Sequence, residues 1–340
     1  MSIVKRDIYF DNAKFILILL VVFGHLLETV MKPSESGHTS IDLLYTWIYT
    51  FHMPLFIFIS GYFSKGFSKD SNFYKKIISL IVTYLIAETI YSLIFSVITV
   101  KPDMSVSYFV PTWIMWFLFS LIIWKATLPY VTALKHPMVF VLVLGVIAGF
   151  MSDISYFASL SRTIVFYPLF LAGYYIERER LFKWKTIQSK VFSLIWLVLL
   201  VLIIKAGFML IENPVTLKAL IYGSVPYEQM GLSSIQGAIM RIVLYIIIFV
   251  TSAAVLCLIP QKEYFWSHWG QKSFYVFIIH GVVVKVMQGF GLFNNIDTLF
   301  ETLFLVPIAI ALTALLSSRP VERFLKPFMQ PNVSFLFREK

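Results

Sequence analysis

The sequence predicts an all-α, polytopic membrane protein. Three observations carry this reading. Over 340 residues the chain is 59% hydrophobic, its mean hydropathy is +0.82, and only 14% of its residues are charged. A water-soluble domain carries about 25% charged residues. No ten-residue alternating pattern suggests a barrel, so lipid-exposed backbone must satisfy itself within helices.

A hydrocarbon core of ~30 Å needs about 20 mostly apolar residues per crossing. Ten segments qualify as candidates: 10–30, 42–63, 74–98, 108–127, 138–151, 156–176, 190–211, 236–259, 272–291 and 297–317. The fifth is short, and it could form a re-entrant pair with the sixth. Phe, Tyr and Trp together make up 17% of the chain, as expected for a bundle with rings at headgroup depth. The first apolar run lacks a small-residue cleavage site and is expected to stay as a membrane helix.

Most of the 28 lysines and arginines fall in alternate connections, on one side of this layout. By the positive-inside rule that side is cytoplasmic, which places both termini inside. Lys5, Arg6, Lys65, Lys69, Lys75, Lys76, the 178–190 cluster and the C-terminal tail mark the inner face. Only Lys32, Lys101 and Lys218 fall in outer loops. The net charge of +10 is therefore explained by topology and anionic inner-leaflet lipid, and no nucleic-acid partner is expected. The single cysteine, Cys257, excludes an internal disulfide, and no Cys/His spacing suggests a metal.

Ionisable groups inside spans are costly and mark sites or pathways. In "DNAKFILILLVVFGHLLE", positions 11, 14, 18, 21, 25 and 28 share one helix face. Asp11, Lys14, His25 and Glu28 thus form a polar stripe, with Lys14 and His25 about 16 Å apart along the axis. Asp11 and Lys14 also read as an interfacial i,i+3 pair with Lys14 snorkelling. His25 also reads as an interhelical hydrogen bond. In "FHMPLFIFISGYFSKG", His52 precedes Pro54, which removes a backbone donor and distorts the helix. Ser60 and Gly61 follow, and Gly61 permits close backbone approach. In "GQKSFYVFIIHG", Ser273 and His280 lie on one face. Glu88, Arg162, Lys205, Arg241, Lys285 and Glu301 complete the set.

With "TWIMWFLFSL" and "YPLFLAGYY" added, the chain resembles the membrane acyltransferase-3 family, most closely its fucose 4-O-acetylase-like branch of polysaccharide O-acetyltransferases. The resemblance implies transfer of an acyl group, usually acetyl, from cytoplasmic acyl-CoA to a hydroxyl of an extracytoplasmic glycan or glycolipid. It implies a multi-pass protein of the cell membrane, with lipid as its surroundings. The family's first-span motif, a basic residue and a His eleven positions later, maps onto Lys14 and His25. Lys14 stands where relatives usually carry Arg, keeping the charge but losing the bidentate fork. The apolar-x-x-Ser-Gly motif maps onto Phe56, Ile57, Ser60, Gly61 and Tyr62.

The expected roles follow. His25 acts as general base, with His52 as orienting partner or alternative base, and Ser60 or backbone groups near Pro54 act as oxyanion donors. Lys14, Lys65 and Lys69 receive the phosphates of acetyl-CoA. Glu28, Arg162, Arg241 and His280 line the acceptor's path. A single integral-membrane domain over 1–340 is expected, without metal and without an appended soluble domain. The rival reading is an exporter of polysaccharide or lipid-linked sugar, which needs alternating access and matching broken helices. Only one break, at Pro54, is visible in the sequence.

Overall fold

The computed structural model describes residues 6–31, 39–67, 70–98, 106–152, 157–211 and 214–337. Lys69 lies outside them, as do Lys5, Lys32, Lys101, Arg338 and Lys340 of the charge argument. The described residues contain helices and no strand. In order they are α1 (Ile8–Val30), α2 (Ser40–Tyr49), α3 (His52–Tyr62), α4 (Phe73–Ile98), α5 (Trp116–Thr132), α6 (Pro137–Ile147), α7 (Leu160–Tyr175) and α8 (Arg178–Lys183). They continue with α9 (Ile187–Leu210), α10 (Pro214–Tyr222), α11 (Ser234–Leu258), α12 (Ser267–Gly270), α13 (Ser273–Gly289), α14 (Leu305–Leu316) and α15 (Arg319–Met329).

Each of the ten predicted segments contains helical backbone among the described residues, but fewer qualify as crossings. Length and hydropathy alone qualify six as crossings: 8–30, 40–62, 73–98, 113–132, 187–210 and 234–258. A seventh is added if 301–316 and 319–336, bent by 65°, count as one span. The segments 137–150 and 273–289 are apolar but shorter, and α7 has 16 residues. The chain is a multi-pass membrane protein.

Two compact units make up the described chain. The first comprises Met1–Ile59, Glu177–Ala206 and Val250–Arg323; the second comprises Ser60–Ile176, Gly207–Phe249 and Phe324–Lys340. In the first, α1 is the central element and packs against α2, α12, α13 and α14. Phe10, Ala13, Leu17, Ile18, Val21, Val22, Leu26 and Leu27 are fully buried there. In the second, α5 packs against α4 and α7, and α6 lies along α7.

The second predicted span is broken just ahead of its proline. Pro54 offers no N–H to the Thr50 carbonyl, and its ring would crowd that carbonyl in a continuous helix. The helix therefore ends at Tyr49 and restarts at His52, with Phe51 N–H turning back to Ile48 O at 3.2 Å. Pro54 then sits in the first turn of α3, where a missing donor costs nothing. His52 is the first residue after the break, and Tyr49 the last before it.

Candidate active site

The polar stripe on α1 has two ends, and both lie in the first unit. At the N-terminal end Asp11 is buried. Its carboxylate accepts from Lys14 Nζ at 3.0 Å, Arg6 Nε at 3.1 Å and Gln271 Nε2 at 3.1 Å. Arg6 also pairs with Glu263 at 2.6 Å. Asn12, fully buried, donates to Pro260 O at 2.9 Å and Lys262 O at 2.8 Å, and accepts from Ser267 Oγ at 2.5 Å. A Cβ on Gly270 would stand 1.8 Å from Asp11 O. The "DNAK" stretch thus clamps the 260–271 segment onto α1. The i,i+3 pair of Asp11 and Lys14 forms as read from the sequence.

The other end is arranged differently. His25 Nδ1 lies 3.0 Å from Glu28 Oε2, one turn along the same helix, and the Tyr49 hydroxyl lies 3.3 Å from the same nitrogen. Gly24 makes room for that tyrosine, since a Cβ there would stand 3.0 Å from Tyr49 Cε2. The Tyr49 ring stacks on Tyr45 with centroids 3.9 Å apart and meets His52 edge-on at 4.4 Å. The His280 ring lies 5.3 Å from the His25 ring at an interplanar angle of 33°. The structure therefore gathers His25, Glu28, Tyr49, His52 and His280 around one point.

The hydrogen bonds fix the chemistry of the imidazoles. His52 Nδ1 bonds to Ile48 O at 2.9 Å. His280 Nδ1 is shared between Val276 O at 3.0 Å and Phe277 O at 2.8 Å. A carbonyl can only accept, so each Nδ1 carries the proton and each Nε2 presents a lone pair. His52 and His280 are both fully buried, and among the described residues neither Nε2 has a hydrogen-bond partner. An ionised Glu28 sets the same tautomer on His25, with Nδ1–H donating to the carboxylate. Such a carboxylate-backed imidazole is the arrangement of a general base. Buried polar atoms without partners call for an explanation; His280 Nε2 belongs to a ring beside His25, and His52 Nε2 to a ring beside Tyr49.

The other expected residues that the structure describes, Ser60, Lys65, Arg162 and Arg241, belong to the second unit. Ser60 belongs to the second unit, where its carbonyl accepts from Ser64 Oγ at 2.7 Å. A Cβ on Gly61 would stand 1.9 Å from Phe170 O, so the close approach expected of that glycine is made by α7. Lys65 donates to Ile176 O and lies 4.5 Å above the Tyr62 ring. Arg162 packs over Trp116 at 5.1 Å and Tyr222 at 5.8 Å.

Arg241 is 1% exposed and donates through Nη1 to Leu220 O at 2.7 Å. It thereby caps a carbonyl in the last turn of α10, where a cation also suits the helix dipole. Glu88, another buried acid of the second unit, accepts from Thr112 N at 2.9 Å and Thr112 Oγ1 at 2.6 Å. It pins the turn that leads into α5. Among the described residues no group of His, Cys, Asp and Glu has metal-holding geometry.

Tyr49, Asn12 and Gly24 are the site and support residues that sequence reading passed over. The signal for Tyr49 was its place one residue before the break that Pro54 forces. Nothing in its immediate neighbours distinguishes it from the chain's other tyrosines.

The nodulation protein NolL of Sinorhizobium fredii is 48% identical over 62 residues, which is 18% of this chain and 17% of that protein. The nodulation protein NolL of Mesorhizobium japonicum is 47% identical over 62 residues, 18% of this chain and 16% of that protein. The chain thus spans less than a fifth of the length of these curated relatives. No solved structure matches it. The sequence model of the acyltransferase-3 family, described as an acyltransferase domain, matches residues 7–318. The chain belongs to the acyltransferase-3 family.

Proposed function

We propose that this protein is an O-acyltransferase of the cell membrane, with both termini cytoplasmic. It moves an acetyl group from cytoplasmic acetyl-CoA to a hydroxyl of an extracytoplasmic glycan or lipid-linked saccharide. Family membership supports the reaction class. The observation that supports the mechanism is the histidine group, in which His25 Nδ1 is held against Glu28 and the Nδ1 atoms of His52 and His280 are committed to backbone carbonyls.

In the reading proposed, the acceptor hydroxyl gives its proton to His25 Nε2 as its oxygen attacks the thioester carbonyl. Glu28, holding Nδ1–H, stabilises the imidazolium that forms. The tetrahedral intermediate collapses with loss of the thiolate, which takes the proton back from Nε2 and leaves as CoA thiol. Atoms and charge balance without a metal or redox partner. Positioned base catalysis of this kind contributes typically 10²–10⁴-fold. His280 and His52 hold further unprotonated Nε2 atoms beside the reacting group, available to keep the proton out of bulk water during transfer.

The test uses the protein in lipid nanodiscs with acetyl-CoA and a hydroxyl-bearing oligosaccharide or glycolipid extracted from the native envelope. Acceptor-dependent release of CoA thiol is expected, with an acetyl mass increment on the acceptor. Export of unmodified saccharide by a protein that releases no CoA would replace this reading with transport.

A further inference from the structure

The lysines expected from sequence to meet phosphates are largely engaged: Lys14 with Asp11 and Lys65 with Ile176 O. Lys125, in α5 of the second unit, is placed differently. It is half-buried and donates to Ser64 Oγ at 3.0 Å. Ser64 is fully buried and spends its own proton on Ser60 O, so it can only accept from Lys125. The Lys125 ammonium lies 4.1 Å from the centroid of the Phe67 ring, and Lys76 lies 5.8 Å from the centroid of the same ring. Among the described residues no carboxylate lies within 4 Å of Lys125. Asp70, the acid of this loop, is paired with Lys76.

A cation drawn partly out of water without a counter-charge is costly, and a second ammonium on the same ring adds repulsion. Lys76 has the Asp70 carboxylate as its counter-charge, whereas ring contact and one hydroxyl leave the charge of Lys125 unanswered. Gly66, at φ +72°, would have nothing within 4 Å of an added Cβ, so the turn that presents Phe67 is open beside it. Lysine binds phosphate as a compact point charge, and a phosphate placed between Lys125 and Lys76 would give Lys125 the counter-charge it lacks, with the exposed Lys76 as a second contact.

We propose that Lys125, Lys76 and Phe67 form a subsite for a phosphate ester. Its occupant is the nucleotide end of the thioester donor or, with the same chemistry, the headgroup of an inner-leaflet phospholipid. The donor assignment rests on the acetyl-CoA reading above; the subsite itself does not. Ser64 acts as the positioning residue that holds the Lys125 ammonium in place.

The test compares wild type, Lys125→Met, Lys125→Arg and Lys76→Met in nanodiscs of phosphatidylcholine, with and without phosphatidylglycerol. Calorimetry follows binding of CoA and of phosphate-free pantetheine, and thermal unfolding follows the lipid. Lys125→Met is expected to weaken CoA at least about tenfold while leaving pantetheine unchanged, as for loss of a desolvated charge contact. Lys125→Arg should keep affinity within about threefold, and the exposed Lys76→Met should cost about threefold.

If Lys125→Met leaves CoA affinity intact but removes the stabilisation given by phosphatidylglycerol, the subsite stands with a lipid headgroup in it. Wild-type affinity for CoA together with a wild-type response to phosphatidylglycerol in both methionine variants overturns the proposal. Should Lys125→Met not fold, Lys76→Met and Lys125→Arg decide it by the same two readouts. If wild type binds no CoA at all, the donor reading fails instead, whatever the lipid response shows.

Discussion

The two ends of the polar stripe on α1 hold similar residues and do different things. At the Asp11 end the buried polar groups are bonded: the Asp11 carboxylate accepts three donors, and Asn12 uses both its amide nitrogen and its oxygen. At the His25 end, two neighbouring imidazoles keep a buried nitrogen without a partner. Polar groups saturated by protein hold a fold together, whereas a buried lone pair without a partner calls for an explanation. In the proposed function that explanation is chemical at the His25 end, where the two nitrogens belong to α3 and α13, and the polarity of the Asp11 end is structural.

The comparison can be broken most forcefully by steric means. Gly270→Val would drive a side chain into the Asp11 carbonyl, 1.8 Å from where its Cβ would stand. It should cost about 3 kcal/mol or more, read as loss of monodisperse protein on size exclusion. Asn12→Leu comes next. It strands two carbonyls and the Ser267 hydroxyl, at about 1–3 kcal/mol for each group left without a partner, so a large drop in thermal midpoint is expected.

At the other end the expected effects are kinetic. Glu28→Gln keeps the shape beside His25 Nδ1 but removes the charge that stabilises an imidazolium. Transfer should fall by roughly tenfold, equivalent to about 1.4 kcal/mol in the barrier, with the thermal midpoint little changed. Tyr49→Phe removes the hydroxyl 3.3 Å from Nδ1 and keeps the stacking on Tyr45. A loss of about threefold in turnover is expected, measured as CoA release at saturating donor.

The smallest effect sharpens the comparison from the bonded side. Lys185, in the connection before α9, donates to Leu256 O at 3.0 Å and Ile259 O at 2.5 Å. Its ammonium lies 4.4 Å from the ring of Tyr9, near the start of α1. Burial lowers its pKa to about 8, below the ordinary lysine value of about 10.4. Between these values the unfolded chain binds the extra proton, so stability rises with pH across that window. Thermal midpoints taken from pH 7.5 to 10 should therefore climb less steeply in Lys185→Met than in wild type.

Much of this was legible in the sequence, for physical reasons that can be named. The eleven-residue spacing of Lys14 and His25 places both on one face of any helix, and Glu28 follows one turn later. Pro54 dictates a break wherever the chain puts it, and Gly61 marks a close approach before its neighbour is known. What escaped depends on partners remote in the chain. Asn12 reads as an ordinary interfacial residue until Pro260, Lys262 and Ser267 arrive beside it. The contact of Arg241 with the Leu220 carbonyl in the last turn of α10 is likewise invisible along the chain. Nothing along α13 reveals that the His280 ring lies beside His25. The number of crossings escaped because apolar length alone does not separate the 16 residues of α7 from a full span.

The most direct test measures acyl transfer and thermal stability together, on the same nanodisc preparations of His25→Ala and Asn12→Ala. His25→Ala should unfold within a few degrees of wild type and release CoA only at the acceptor-free rate. Asn12→Ala should unfold at a clearly lower temperature while its folded fraction transfers at close to the wild-type rate. Undiminished transfer by His25→Ala, or loss of transfer in Asn12→Ala without loss of stability, would contradict the division of the helix into a structural end and a chemical one.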